Sequence, residues 1–429
     1  MEFKSEKSQN KPRKDIISTL PVDVFFNILS RLPIKTISLC KWVSKLWFNL
    51  LLNPRFAKLH YAKSLENRSI SVIIRGFSDE FHLIDHQQLD NFQTLVSSYP
   101  LDFKGFQENF TLCGKFRNSY ELIGIVNGLI GLSPVCDEFY VADPCYVCNP
   151  ITREYVILPK SPKIDMVPLA LGFGFDSITD DYKVIRILIT KKESKIEDNE
   201  VEDENVVEVF TLGSREWRQV AIEVPHIRHV LQHSGVFVNG RIHWLGYTNT
   251  GSSEVILSFN VATEEFDILL LPVQLLHSGF SIWRRLLVLG DCLGLYCGHY
   301  GGRNIWVMKD YGVHDSWAKQ CNISTECGNL YASLNSGYLQ LQNGELLLLV
   351  NDTIGYYDLQ RNVFKRIRIA NLESHLEFHL TMLSEEKPGC ETFVPLPRIK
   401  EMNFGIELSI FLVGSLISPK NGHGETLDR

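Results

Sequence analysis

No stretch of this 429-residue chain is both apolar and long enough to cross a bilayer as a helix. The longest apolar runs, Leu286-Leu287-Val288-Leu289 and Leu346-Leu347-Leu348-Leu349-Val350, fall far below the roughly 18 residues a span requires, so no membrane partner is expected. The opening residues Met1-Glu2-Phe3-Lys4-Ser5-Glu6-Lys7 stay polar to Asp15 and lack the apolar centre of a secretory signal. The ten cysteines are scattered, so they read as reduced thiols and not as a disulfide framework, and the expected compartment is cytosol or nucleus. A basic excess is missing too: 43 Lys and Arg face 50 Asp and Glu, a formal charge of −7, which excludes a sequence-wide field for a nucleic-acid backbone.

Catalytic signatures are also lacking. No G-x-x-x-x-G-K-[ST], G-x-S-x-G or H-E-x-x-H occurs, so phosphate cradles, nucleophile elbows and zinc-protease sites have no support, and no cofactor is implied. Cys145-Tyr146-Val147-Cys148 has the spacing of a metal knuckle but no second pair, so strand or core cysteines are expected. His226, His229 and His233 would align on a helix, yet their segment reads as a loop between strands.

What is present is a folded composition, 45% hydrophobic and 22% charged, in a chain long enough for a small domain beside a large one. Residues 1–14 carry Lys4, Lys7, Lys11, Arg13 and Lys14 without apolar periodicity and read as a disordered arm. From Ile16 to about Tyr61 the pattern is helical in pieces. Pro21 suits a first turn, and Val24, Phe25, Ile28, Leu29 and Leu32 recur at three- and four-residue spacing. Pro33 ends that segment, a second carries Ile37, Leu39, Cys40, Val43, Leu46 and Trp47, and Pro54 closes it. So short a stretch cannot bury all of these faces internally, so part of the surface should meet a partner.

The run Leu20-Pro21 … Ile28-Leu29-Ser30-Arg31-Leu32-Pro33-Ile34-Lys35 … Cys40-Lys41-Trp42-Val43-Ser44-Lys45-Leu46-Trp47 closely resembles the F-box. That resemblance implies a three-helix module over 15–61 that binds a Skp-type linker, itself bound to a cullin carrying a RING subunit. Its contact positions fall on Leu20, Pro21, Ile28, Leu29, Leu32, Pro33, Leu39 and Val43, with Trp47 at the family's tryptophan position. Trp42 departs from the family, where plant members often have a smaller apolar residue or Arg. The competing reading makes the same residues the core of a helical hairpin capping the larger domain.

Beyond about residue 66 the chain becomes short β-branched and aromatic runs separated by turn residues, the signal of an all-β domain. Val126-Asn127-Gly128-Leu129 recurs as Val238-Asn239-Gly240-Arg241, Gly290-Asp291-Cys292-Leu293 and Gln342-Asn343-Gly344-Glu345, each a tight turn feeding a buried strand. A second element, a strand, a polar turn and a strand with an aromatic plug, closes on Trp217, Phe266, Trp317 and Phe364, at intervals of 49, 51 and 47 residues. A period near 50 is that of kelch-like propellers, with room for six or seven blades. The expected fold is therefore α+β overall: a small helical module, then a large all-β, propeller-like domain over 66–418 and a disordered tail over 419–429. Gly172-Phe173-Gly174-Phe175-Asp176 … Asp181-Tyr182-Lys183-Val184 and Phe411-Leu412-Val413-Gly414-Ser415-Leu416-Ile417 resemble the plant F-box-associated domain, a looser match per residue.

The joint resemblance implies a non-catalytic, target-recognising subunit of a Skp–cullin–F-box ubiquitin ligase. The alternatives are an F-box scaffold acting outside a ligase and a stand-alone propeller enzyme or binder. The target protein has no readable code. Its candidate surface comprises loops at 133–145, 190–206, 246–253, 272–283, 298–304 and 311–316, with Tyr247, Trp283, Tyr300 and Tyr311 as aromatic anchors, for each of which buried packing is the rival role. The charged run 191–205 reads as a solvated loop.

Overall fold

The structure is a computed structural model. It describes residues 20–32, 34–40, 42–51, 53, 55–56, 59–60, 62–63, 70–75, 81–85, 95–101, 120–137, 140–141, 145–149, 154–161, 166–190, 205–221, 225, 227–231, 233–248, 254–275, 283–299, 302–323, 339–340, 346–350, 353–358, 361, 363–370 and 407–412. The expected arm at 1–14, the charged run at 191–204, the tail at 419–429, Pro33 and Tyr300 lie outside these residues.

Three short helices come first: α1 (Val22–Leu29), α2 (Ile34–Cys40) and α3 (Lys45–Leu51). The β region follows, with two short 3-10 turns, Val273–Leu275 and His314–Ser316, between its strands. The first sheet begins with β1 (Ile70–Arg75), β2 (Phe81–Asp85) and β3 (Leu95–Leu101). The second holds β4 (Tyr120–Val126), β5 (Leu129–Asp137), β6 (Tyr140–Val141), β7 (Tyr146–Asn149) and β8 (Glu154–Ile157). The third is β9 (Met166–Asp176), β10 (Asp181–Thr190), β11 (Asn205–Thr211) and β12 (Arg218–Val220). The fourth is β13 (Ile227–Val230), β14 (Val236–Val238), β15 (Arg241–Thr248), β16 (Glu254–Asn260) and β17 (Phe266–Leu269), with β13 and β14 sharing one side of β15. The fifth is β18 (Trp283–Leu289), β19 (Cys292–His299), β20 (Gly302–Met308) and β21 (Trp317–Ile323), and the sixth β22 (Leu339–Gln340), β23 (Leu346–Val350), β24 (Thr353–Asp358) and β25 (Val363–Arg366).

The chain then returns to the first sheet. β26 (Arg368–Ala370) adds parallel to β3, and β27 (Glu407–Leu412) pairs antiparallel with β1, matching Ile70 to Leu412 and Arg75 to Glu407. One sheet is thus built from both ends of the β region, a long-range tie that no local signal announces. The leading strands of successive sheets abut: β27 on β4, β4 on β9, β9 on β14 and β15, and β14 on β18. The result is a mostly β, propeller-like domain with six sheets among the described residues.

The sequence repeat explains each sheet. Asn127 and Gly128 take φ values of 51° and 81° between β4 and β5, and Asn239 and Gly240 take 53° and 71° between β14 and β15, the left-handed pair a two-residue hairpin requires. The second element joins the outer two strands. Its closing tryptophans are buried and each donates backward to the end of the preceding sheet: Trp217 Nε1 to the Pro159 carbonyl at 2.6 Å, and Trp317 Nε1 to that of Leu270 at 3.1 Å. The aromatic spacing therefore records an inter-sheet tie.

Close approach also needs small residues. Between the third and fourth sheets, Gly235 N–H donates to the Leu171 carbonyl at 2.7 Å, and Trp244 Nε1 reaches the same oxygen at 2.8 Å. A Cβ on Gly235 would stand 2.4 Å from Ile242 Cγ2 and 2.8 Å from the Trp244 ring, so a side chain there would displace the residues of β15 that pack against the third sheet.

Buried charge crosses the same boundary. Lys183 Nζ on β10 bonds Asp176 at 3.1 Å, Glu264 at 3.0 Å and the Val261 carbonyl at 2.8 Å, while Arg218 holds both Glu264 oxygens at 2.7 and 2.9 Å. Burial alone would raise the Glu264 carboxyl, but its hydrogen bonds from Arg218 and Lys183 leave it lowered. On the other side, Arg186 lies 3.7 Å from the Trp217 ring centroid and 3.5 Å from Glu208, which accepts from Ser161 at 2.9 Å.

Candidate functional site

The N-terminal helices are short because their sequence keeps interrupting itself. Pro21 opens α1 with an extended backbone, its carbonyl accepting from Phe25 N–H at 3.1 Å, and Asp23 sits favourably in the first turn. Ser44 caps α3 by accepting from Trp47 N–H at 3.2 Å. The core holds Phe25, Phe26, Leu29, Ile37, Leu51 and Phe56, with Leu32, Cys40, Trp47, Leu50 and Leu59 packed around it. Trp47 meets Phe25 edge-on at 5.0 Å, and Phe26 meets Phe56 at 5.2 Å. His60 Nε2 lies 3.1 Å from the Leu32 carbonyl, tying the last helical residues to the end of α1.

This core leaves much apolar surface outside. Leu20, Val22, Val24, Ile28, Leu39, Trp42, Val43, Leu46 and Phe48 are between 37 and 85% exposed, too much for so small a module in water without a partner. Of the positions marked by sequence, Leu20, Pro21, Ile28, Leu39 and Val43 lie on this surface. Leu29 does not. At 3% exposure it belongs to the core, because it faces the same way as Phe25 and Phe26 on α1. Leu32 and Trp47 are half-buried supports of that core. Phe48 was not marked by sequence, Leu46 was marked there only as part of the helical pattern, and Trp42, read there as a departure from the family, is the most exposed of the set at 85%.

The aromatic anchors of the β domain fall differently. Tyr311, half-buried between β20 and β21, donates from its hydroxyl to His243 Nε2 at 2.6 Å and lies 3.1 Å from Ser258 Oγ, which accepts from Arg241 Nε at 2.8 Å. His243 Nδ1 donates to the Val236 carbonyl at 3.1 Å, so its tautomer is set, and burial pushes its pKa down to about 4. Tyr311 is therefore a seam residue joining the fourth and fifth sheets rather than a free anchor. Tyr247 is on β15, not in a loop, and donates to Glu254 at 2.8 Å; burial, then that bond, raises its pKa. Glu254 also pairs with Arg284 of β18. Trp283 opens β18.

The expected loops are partly strands: β5 runs through Asp137, β15 reaches Thr248, and β19 and β20 meet across 299–302. His229 lies in β13 and His233, beyond that strand, has Nδ1 3.0 Å from the Leu169 carbonyl, while His226 lies outside the described residues. Cys145 and Cys148 are buried, the latter with its thiol pushed up by burial, and among the described residues no group of three or more His, Cys, Asp or Glu is placed to hold a metal ion.

A mostly β domain of about 50-residue repeats behind a helical module defines a class, and residues 76–393 match the family described as "F-box associated beta propeller domain". The chain belongs to the plant F-box proteins that carry an F-box-associated domain. It is similar to F-box protein CPR1 of Arabidopsis thaliana, 27% identical over 396 residues that cover 86% of this chain and 89% of that one. An F-box/kelch-repeat protein of the same plant is 26% identical over 320 residues, 71% of this chain and 79% of that one. Among solved structures, an oligogalacturonate lyase in complex with manganese aligns with a TM-score of 0.36 at 9% identity, over 70% of this chain and 78% of that one, a likeness too low to bear on activity.

Proposed function

We propose that this protein is the target-recognising subunit of a ubiquitin ligase of the Skp–cullin–F-box type, working in the cytosol or nucleus. Its F-box module docks on a Skp-type linker, and through it on cullin and a RING subunit, while the β domain captures the protein to be modified. The observation that carries this reading is the mismatch in the helical module: six residues form its core, yet nine large apolar side chains stand 37% or more exposed. Covering this partly exposed surface against a partner is worth roughly 25 cal/mol per Å² of apolar area before association costs, and nine such side chains together supply enough for stable docking. The protein itself performs no chemistry here. It raises the effective concentration of the target beside the enzyme that carries ubiquitin.

The test is titration of a purified Skp-type linker with the full chain and with an Ile28→Lys, Leu39→Lys, Val43→Lys variant. These side chains are 53, 65 and 61% exposed, so the variant should fold as the wild type does by circular dichroism. Loss of at least a hundredfold in affinity is expected. Equal binding by both chains, or none by the folded wild type, overturns the reading and leaves the helices as a cap on the β domain.

A further inference from the structure

The outer strands of several sheets carry exposed charge, Arg218 on β12, Lys319 on β21, Lys365 and Arg366 on β25 and Asp267 on β17, a common protection of an open sheet edge. Single exposed apolar residues also occur there, Ile157 on β8 and Val363 on β25, but β17 runs into a cluster of them: Ile268 is 43% exposed, Leu270 54% and Val273 50%. Val313 of the neighbouring sheet, 52% exposed, belongs to the same neighbourhood, because the Leu270 carbonyl accepts from Trp317 and the Leu271 carbonyl lies 2.9 Å from Nε2 of His314.

The backbone there is open as well. Asn260 N–H donates to the Glu265 carbonyl at 2.9 Å and Ser258 stands opposite Asp267, a register that turns the peptide groups of Phe266 and Ile268 away from β16. The molecule already shows what such an edge accepts, since β26 adds to the outer strand β3 of the first sheet in a three-residue parallel register. The surroundings of β17 carry more acid than base among the described residues: the side chains of Asp267, which pairs with Arg241, and Asp315 are 63 and 96% exposed, and Glu265 and Asp310 are exposed beside them, with Lys309 an exposed cation nearby.

We propose that the outer edge of the fourth sheet is a docking site for an extended segment of a partner protein, which adds as a further strand along β17. The segment alternates apolar, β-branched side chains that cover Ile268, Leu270 and Val273, and carries Lys or Arg at its flanks to match the acidic rim. This rests on the adaptor reading only in naming the partner as the ligase target.

The probe is a library of random twelve-residue peptides selected on the full-length chain. Enriched peptides are then measured by fluorescence anisotropy against wild type, Ile268→Lys with Leu270→Lys, and the milder Ile268→Thr with Leu270→Thr in case the first variant fails to fold. The expected result is enrichment of alternating apolar peptides with basic flanks, at least tenfold weaker on the folded variants and at least tenfold weaker when their backbone amides are N-methylated. Absence of such peptides, or binding indifferent to both changes, overturns the proposal. So does a wild-type dimer in sedimentation that the variants lose, which would assign the edge to a second copy of this chain. Linker affinity measured on the same proteins separates the two readings: intact linker binding without edge-dependent peptides sinks only this site, and edge-dependent peptides without linker binding sink only the adaptor role.

Discussion

His243 ties two sheets together only while it is neutral. Its Nδ1 hydrogen serves the Val236 carbonyl and its bare Nε2 receives the Tyr311 hydroxyl, so protonation would remove an acceptor inside a buried seam. Burial holds its pKa near 4 against an ordinary 6.5, so above pH 6.5 folded and unfolded chains are both neutral there and nothing depends on pH. As the pH falls below 6.5 the unfolded chain takes up the proton and the folded one does not until about 4, a loss of stability reaching about 3 kcal/mol at the bottom of that window. Urea midpoints at pH 7 and pH 5 should differ more for wild type than for His243→Gln; equal shifts would show that the imidazole is not held neutral.

Glu264 acts at the same scale through charge. It sits at a φ of 62° in the turn between β16 and β17 and receives both Lys183 and Arg218 from the third sheet. Glu264→Gln keeps the shape and removes the charge, and since Lys183 retains Asp176 the expected cost is about 2 kcal/mol by chemical denaturation. A variant as stable as wild type would mean that the seam does not depend on this pairing.

At the scale of the element, the helices divide residues that look alike in sequence. Leu29→Ala opens the core and should cost about 3 kcal/mol of the module's stability, whereas Leu39→Ala should leave the melting curve unchanged and weaken linker binding. The opposite assignment of effects would invert the packing of α1 and α2. This division was not legible beforehand, because in α1 the polar stripe of Asp23 and Asn27 is narrow and apolar residues flank it on both sides, so the pattern alone does not say which of them face inward. The strands were far more legible. Asn127-Gly128 and Asn239-Gly240 announce their turns through a local backbone requirement, and Trp217 and Trp317 announce outer strands through one repeated tie. Tyr247 lies on a strand and not in the expected loop, whereas Tyr311 lies in its expected loop but packs on His243; the partners Glu254 and His243 become neighbours only after the strands have paired.

Across the whole molecule, two kinds of surface are kept apart by construction. The β domain joins its last strand to its first, β27 on β1, and stitches neighbouring sheets with tryptophans and buried ion pairs, which suits a rigid platform. Pairing residues 407–412 with 70–75 has no signature in either segment, so the joining of the two ends of the β region was not legible in the sequence. The helical module does the reverse, placing its apolar side chains outward where only another protein can cover them. The most direct measurement is reconstitution on a sizing column of the full chain with a Skp-type linker and a cullin–RING pair. Co-elution of all four, lost with the Ile28, Leu39 and Val43 substitutions, is the result expected of a ligase adaptor. A chain that folds but elutes apart from linker and cullin would contradict it.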